Sequence, residues 1–333
     1  GKARALAKKL DIHKHIATNQ LLAPCLVDPH SALENPVNGK NENLSSLKAN
    51  AVKGGYGQIA LLPKGISWRD SPVHLQGFKS SQNEVLIHLL GSLSLRGEGK
   101  ELSPHASLIE HGAIGIAEDN IIPPIHILRK AFLLGEMGNS PVLLAPRDLE
   151  MQGNGVVREG VDTLRAGWVP DPIESETLPL CQLLQLNKTY PNIAMRIMNI
   201  STGNGVSLLS NSTSKLMASV CWWNLLYDSS NLSPSSIGWR MVPSIGSPDD
   251  RKQLIEGLVN KKLIAIGINS IALDDVEIKK PPNERHPGLS GYNLVLPLLW
   301  KELIINSKWN VESLWDVLSF GPSKYLNVPE ECL

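Results

Sequence analysis

Eight short apolar runs recur along the chain, each closed by a polar or turn residue. They occupy residues 21–28, 57–63, 85–93, 112–119, 141–146, 193–200, 217–223 and 263–269. Their apolar positions are continuous rather than strictly alternating, the pattern of strands buried on both faces of a parallel sheet. Helix-like stretches lie between them. Residues 44–55 have apolar spacing and a glycine stop, and 123–138 open on proline and close on glycine. Residues 247–262 offer Ser247 as N-cap, Pro248 at the first helical position, acids in the first turn and lysines in the last. Residues 291–304 and 311–321 read as closing helices. Pro297 is expected to start or kink the first of these, because a mid-helix proline removes a backbone hydrogen bond.

Eight buried strands alternating with helices predict a (β/α)8 TIM-type barrel, a fold that takes about 250 residues. A doubly wound open sheet is the alternative. The expected organisation is an N-terminal extension at 1–20, the barrel at 21–326 and a C-terminal tail at 327–333. The Ser/Asn-rich piece at 227–236 reads as a surface loop. No internal repeat or low-complexity tract is visible.

Composition narrows the class. The chain has 333 residues, of which 42% are hydrophobic, enough for a sizeable core. Lys plus Arg is 32 and Asp plus Glu is 32, so nothing electrostatic favours nucleic acid or a membrane surface as a partner. No run of 18 apolar residues predicts a membrane span, and the basic start has no apolar stretch behind it. Cys25, Cys181, Cys221 and Cys332 stand far apart. Cys25 and Cys221 lie in apolar runs and read as buried free thiols, which fits a cytoplasmic protein without disulfides or cysteine-held zinc.

In such a barrel the chemistry sits at the C-terminal ends of the strands. The first strand ends in DPHSALENP, residues 28–36. That segment resembles the D-P-H-x-H-L-R-x-P signature of dihydroorotases, in which two histidines hold zinc. Further segments match the family in order: GAIGIAEDN at 112–120, GVVREGVDTLRAGWVPDPIESE at 155–176 and NISTGNGVSLL at 199–209. SPDDRKQLIEGL at 247–258 and HPGLSGYNLVLPLL at 286–299 complete the series. The resemblance spans residues 21–326 and implies an amidohydrolase barrel whose ancestors bind metal to polarise a cyclic amide and activate water.

The chemical positions depart from that pattern. His30 keeps the first histidine of the signature, but the second is Ala32, and the substrate-gripping arginine is Glu34. The asparagine after the second strand is Lys64. Asp119 retains the acid after the fourth strand, whereas ligand histidines after the fifth and sixth have become Ala145 and Asn199. The family's T-P-H-H appears as CWWN, residues 221–224, and Gly267 stands where the resemblance puts the catalytic aspartate. Small and apolar residues cannot replace imidazole and carboxylate ligands. His30 and Asp119 are therefore vestigial ligands, too few for a binuclear centre. A single zinc would need help from Asp28, Glu118 or Asp148; the expectation is no cofactor.

The candidate pocket comprises Asp28, Glu34, Lys64, Arg147, Asn199, Trp222 and Trp223. The two tryptophans would plug the ancestral cavity or stack a new ligand. Arg147 and Lys64 would hold an anion, or more simply pair with Glu34, Asp148 or Glu118. Ser201–Gly203 followed by GNG suggests a weak phosphate-cradling turn. His13 and His15 precede the first strand and read as solvent-facing. The accessory β-sandwich usual in the family is absent or trimmed.

Three functional expectations follow. The first is a dihydroorotase-like protein of pyrimidine-biosynthesis ancestry without catalysis, acting as a structural or regulatory partner. For that role the resemblance implies aspartate carbamoyltransferase, or a homo-oligomer. The second is a residual amidohydrolase on a cyclic amide such as dihydroorotate, with one ion or none. The third is a ligand-sensing barrel.

Overall fold

The computed structural model describes residues 21–37, 41–76, 85–213, 216–233, 240–281 and 284–330, together with Lys9, Gly39 and Phe78. His13, His15, the expected extension apart from Lys9, and Cys332 lie outside the described residues. Ten strands run in chain order: β1 Leu26–Ser31, β2 Tyr56–Leu61, β3 Leu86–Ser92, β4 Ala113–Ala117 and β5 Val142–Leu144. Then follow β6 Val157–Arg158, β7 Pro170–Asp171, β8 Met195–Ile197, β9 Met217–Cys221 and β10 Ala265–Gly267.

Eight of these form one parallel sheet in the order β1-β2-β3-β4-β5-β8-β9-β10. They are the eight predicted runs. The seam between first and last strand is drawn together by Asn269 N–H donating to the His30 carbonyl at 3.1 Å and Ala32 N–H to that of Ser270 at 2.9 Å. The protein is therefore a (β/α)8 barrel, and the open doubly wound alternative is excluded. β6 and β7 form a small parallel ladder between β5 and β8.

Alternate residues of each strand separate into two cores, because successive side chains point to opposite faces. Outward residues such as Ile59, Leu89, Ile116, Val142, Ile197 and Ile266 pack under the helices. The inward set includes Val27, Ala60, Leu90, Ala117, Leu143 and Ala265, and it is joined by Tyr325 and Leu326 of the helix Gly321–Leu326. That helix stoppers the N-terminal end of the barrel, and the Tyr325 ring reaches up to 6.4 Å from the His30 ring. Val328 also packs against the interior cluster, so the expected tail begins as part of the plug.

Local signals explain the helix ends. Ser247 caps Pro248–Val259 through a reciprocal pair with Asp250, but the helix stops before Lys261 and Lys262, which therefore do not face its last turn. Ile125–Leu134 ends on Gly135 in the left-handed region, as the glycine stop predicts. Pro297 neither starts nor ends its helix; it sits inside Tyr292–Leu299. Asn293 and Pro297 are both exposed, so water can serve the carbonyl that lacks its N–H, and wider π-type turns follow over Trp300–Asn306. The 227–236 piece is not simply surface. Asp228 and Ser229 are buried, and the Asp228 carboxylate lies 3.7 Å from the Arg251 guanidinium.

Candidate active site

His30 lies at the end of β1, fully buried, with Nε2 2.8 Å from the Ser219 hydroxyl on β9. Its ring lies against the backbone of Gly267, where a Cβ would fall 2.3 Å from Cε1. Burial lowers the imidazole pKa to about 4, so the ring is neutral. Two residues earlier, the buried Asp28 carboxylate accepts from Tyr292 OH at 2.6 Å, Ser31 Oγ at 2.5 Å and Ile268 N–H at 3.0 Å. Burial raises its pKa to about 6 against the lowering effect of those donors. Asp28 thus ties β1 to the end of β10 and to a closing helix instead of facing a pocket.

Asp119 follows β4 and meets Lys64 Nζ at 2.6 Å. An ammonium group on the chain therefore neutralises the retained acid. Asn199, in a left-handed conformation with φ 58°, is held on both amide atoms. Its Nδ2 donates to Asn120 Oδ1 at 2.8 Å, and its Oδ1 accepts from the Cys221 thiol at 2.8 Å. Burial pushes the pKa of that thiol up, so it stays protonated and donates. Ala145 contributes only a methyl group.

Arg147, Asn199, Ala145, Asn120, Arg158 and Glu176 line what remains of the central cavity, a space of about 10 Å³. That is about the room of a single water. Two buried donors facing this region, Asn120 Nδ2 and Arg158 Nε, have no partner among the described residues.

Arg158, Asp171 and Glu176 form a buried ionic cluster that sequence reasoning did not single out. The Arg158 guanidinium lies 3.1 Å from Asp171 and 3.4 Å from Glu176. Glu176 also accepts from Ser201 N–H at 2.9 Å and Thr202 Oγ1 at 2.6 Å. Asp250 takes the Gly203 N–H at 2.8 Å. The Ser201–Gly203 turn is thus occupied by the protein's own carboxylates and is no phosphate cradle. The signal was present in the 155–176 segment that carries the family resemblance, which contains all three charged residues.

The remaining expected site residues are dispersed. Glu34 is exposed and does not line the cavity. Trp222 and Trp223 are buried in the outer core, ring to ring at 6.1 Å, with Trp223 Nε1 donating to the Pro243 carbonyl at 3.3 Å. They fill space behind the mouth and offer no face for stacking. Arg147 does not pair with Glu34, Asp148 or Glu118. It donates to Gln152 Oε1 at 2.7 Å and to the Asn120 carbonyl at 3.2 Å. Asp148 instead caps the short helix Leu149–Gln152, and Glu118 is taken up by Ser92 and Ser94. Both acids are committed to nearby backbone or hydroxyl donors.

The donor set does not fit the zinc that relatives of this barrel imply. Among the described residues no three His, Cys, Asp or Glu side chains come together as a metal-binding group. Nε2 of His30 is spent on Ser219, and Asp119 is spent on Lys64.

A parallel eight-strand barrel with its mouth at the strand C-termini recurs in solved structures. L-hydantoinase of Arthrobacter aurescens superposes with a TM-score of 0.75 at 16% identity, over 91% of this chain and 71% of that one. Dihydroorotase of Saccharomyces cerevisiae, solved with 5-fluoroorotic acid, gives 0.68 at 12% identity, over 92% and 85%. The inactive dihydroorotase-like domain of a Chaetomium thermophilum CAD-like multifunctional protein gives 0.63 at 14% identity, over 92% and 80%. The fold class is that of the amidohydrolase barrels.

Sequence comparison is more specific. A Synechocystis protein named "Probable dihydroorotase-like protein" is 32% identical, covering 94% of this chain and 78% of its own length. A dihydroorotase of Thermoanaerobacter is 24% identical over 98% and 78%. The chain belongs to the dihydroorotase-like family, as a member with a degenerate metal site. No family model matches it.

Proposed function

We propose that this protein is a non-catalytic member of its family, retained for what its surface binds. The observation that carries this reading is the state of the ancestral mouth. The cavity lined by Arg147, Arg158 and Asn199 measures about 10 Å³, against roughly 300 Å³ or more for an ordinary ligand pocket. The side chains that would hold metal or move protons are replaced or committed to internal partners. A fold persists after the side chains of its site have changed, and here Lys64 pairs with Asp119 and Cys221 with Asn199.

The partner we propose is aspartate carbamoyltransferase, on the family resemblance, with self-association as the other form of the same role. Among the described residues Cys25, Cys181 and Cys221 form no disulfide, which supports a cytoplasmic setting. The deciding experiment is metal content after purification with zinc supplied, followed by a dihydroorotate ring-opening assay. Zinc well below one per chain with no turnover is expected. Turnover abolished by His30→Ala would overturn the reading in favour of a residual hydrolase. The partner is tested separately, by co-purification with a carbamoyltransferase subunit.

A further inference from the structure

A ligand-sized cleft among the described residues lies at the opposite end of the barrel from the ancestral mouth. It has a volume of about 520 Å³ and is lined by Asn187, Lys188, Asn192, Arg196 and Thr213, with Met195 among its apolar residues. Arg196 is the second residue of β8, and Lys188 lies in the last turn of the helix Glu174–Thr189. Position and size are both unexpected, since barrels of this kind place their chemistry at the other face.

Two features of the lining point to a ligand. The first is charge. Lys188 and Arg196 contribute two positive charges, and among the described residues no acid lines the cleft. The nearby helix C-terminus counters this with only about half a negative charge. The second is unspent hydrogen-bonding capacity. Among the described residues the side chains of Asn187, Lys188, Asn192 and Thr213 make no hydrogen bond or ion pair; Lys188, Asn192 and Thr213 are exposed and Asn187 is 9% exposed. Arg196 is held in place by Nε donating to the Tyr325 carbonyl at 2.8 Å and Nη1 to that of Met195 at 3.1 Å. That leaves Nη2 without a partner among the described residues. Its two bonded nitrogens hold the guanidinium in place, and Nη2 can still donate to an oxyanion with little freedom lost on binding.

We propose that this cleft binds a small molecule carrying an oxyanion, a phosphoryl or carboxylate group, gripped by Lys188 and Arg196 and oriented by the amides of Asn187 and Asn192. Arg196 also holds the helix whose Tyr325 fills the barrel interior, so a bound anion would bear on the segment that reaches toward His30. The proposal does not depend on whether the mouth retains hydrolysis.

The test is isothermal titration calorimetry of the full chain with inorganic phosphate and with citrate, at ionic strength matched with sodium chloride. Saturable one-to-one binding is expected for at least one probe, with Kd below ~1 mM. Preference between the probes assigns the phosphoryl or the carboxylate class. Lys188→Glu changes an exposed side chain and should weaken binding at least tenfold. Lys53→Glu makes the same charge change on the helix after β1, away from the cleft, and should leave binding intact. Circular dichroism checks that both variants fold. Absence of saturable binding, or binding unaffected by Lys188→Glu, or equal loss in both variants, overturns the proposal. Binding of an acidic peptide with neither small anion bound would also overturn it and reassign the cleft to a protein partner.

Discussion

His30 and Gly267 occupy one another's space: a Cβ at position 267 would lie 2.3 Å from Cε1 of His30. The imidazole is bonded to Ser219, across the ground where family resemblance places an aspartate. A side chain at position 267 and the His30 ring as it lies therefore exclude one another.

Gly267→Asp should accordingly fail to create an active enzyme and should lower stability by about 1–3 kcal/mol through overpacking. In the His30→Ala background the same change should cost less, because the obstructing ring is gone. Urea denaturation of the four proteins of this cycle measures the coupling. Additive costs would mean that the two side chains do not compete.

The pH dependence of stability should expose opposing contributions from Asp28 and His30. The folded carboxyl of Asp28 titrates at about 6, above an unfolded value of about 4. Its contribution is fully present below that unfolded value and is lost as pH rises through about 6. His30, at about 4 when folded, contributes fully above an unfolded value of about 6.5 and loses this as pH falls. The two slopes offset each other in the wild type. Relative to it, His30→Gln should gain stability between pH 7 and pH 4.5, and Asp28→Asn should lose it, each on the order of 2 kcal/mol. Denaturation midpoints at the two pH values decide the signs.

Arg158→Met should be among the more damaging single changes in the molecule. It strands Asp171 and Glu176, both almost fully buried, and breaking one side of a buried ion cluster costs about 3–5 kcal/mol. Lys64→Ala provides the contrast. Its ion pair with Asp119 includes a lysine that is 55% exposed, so the change should cost less than about 1 kcal/mol. Comparable losses in the two variants would contradict the burial difference.

Tyr325→Ala should open a cavity inside the barrel and cost about 3–5 kcal/mol, the usual range for truncating a large buried ring. The hydroxyl and ring of Tyr325 are fully buried among inward residues of the strands. A destabilisation below 1 kcal/mol in thermal or urea unfolding would mean that the closing helix does not seal the barrel.

Most of the fold could be read from the chain because its signals are local. Eight continuous apolar runs became the eight barrel strands, since burial on both faces demands apolar residues at successive positions. Ser247, Pro248 and Asp250 marked a helix start through bonds within four residues. Pro297 was less legible for the complementary reason: its cost depends on whether the orphaned carbonyl meets water, and that is set by which side of the helix faces outward.

The site divides in the same way. At Ala32, Ala145, Asn199 and Gly267 the family resemblance implies losses, because none of these residues can supply an imidazole or carboxylate. What took their place was not legible. Lys64 finds Asp119 across two strands, Arg158 gathers Asp171 and Glu176, and Trp222 and Trp223 turn into the core instead of the mouth.

By itself the sequence determined the barrel and the family, since periodicity, capping and residue chemistry are properties of the chain. Tertiary structure alone decided that the mouth is filled and that the roomy cleft lies at the far end. His30 and Ser219 are 189 residues apart in the chain and meet only because β1 and β9 end at the same rim. Such contacts depend on strand register and ring closure, which no local pattern encodes.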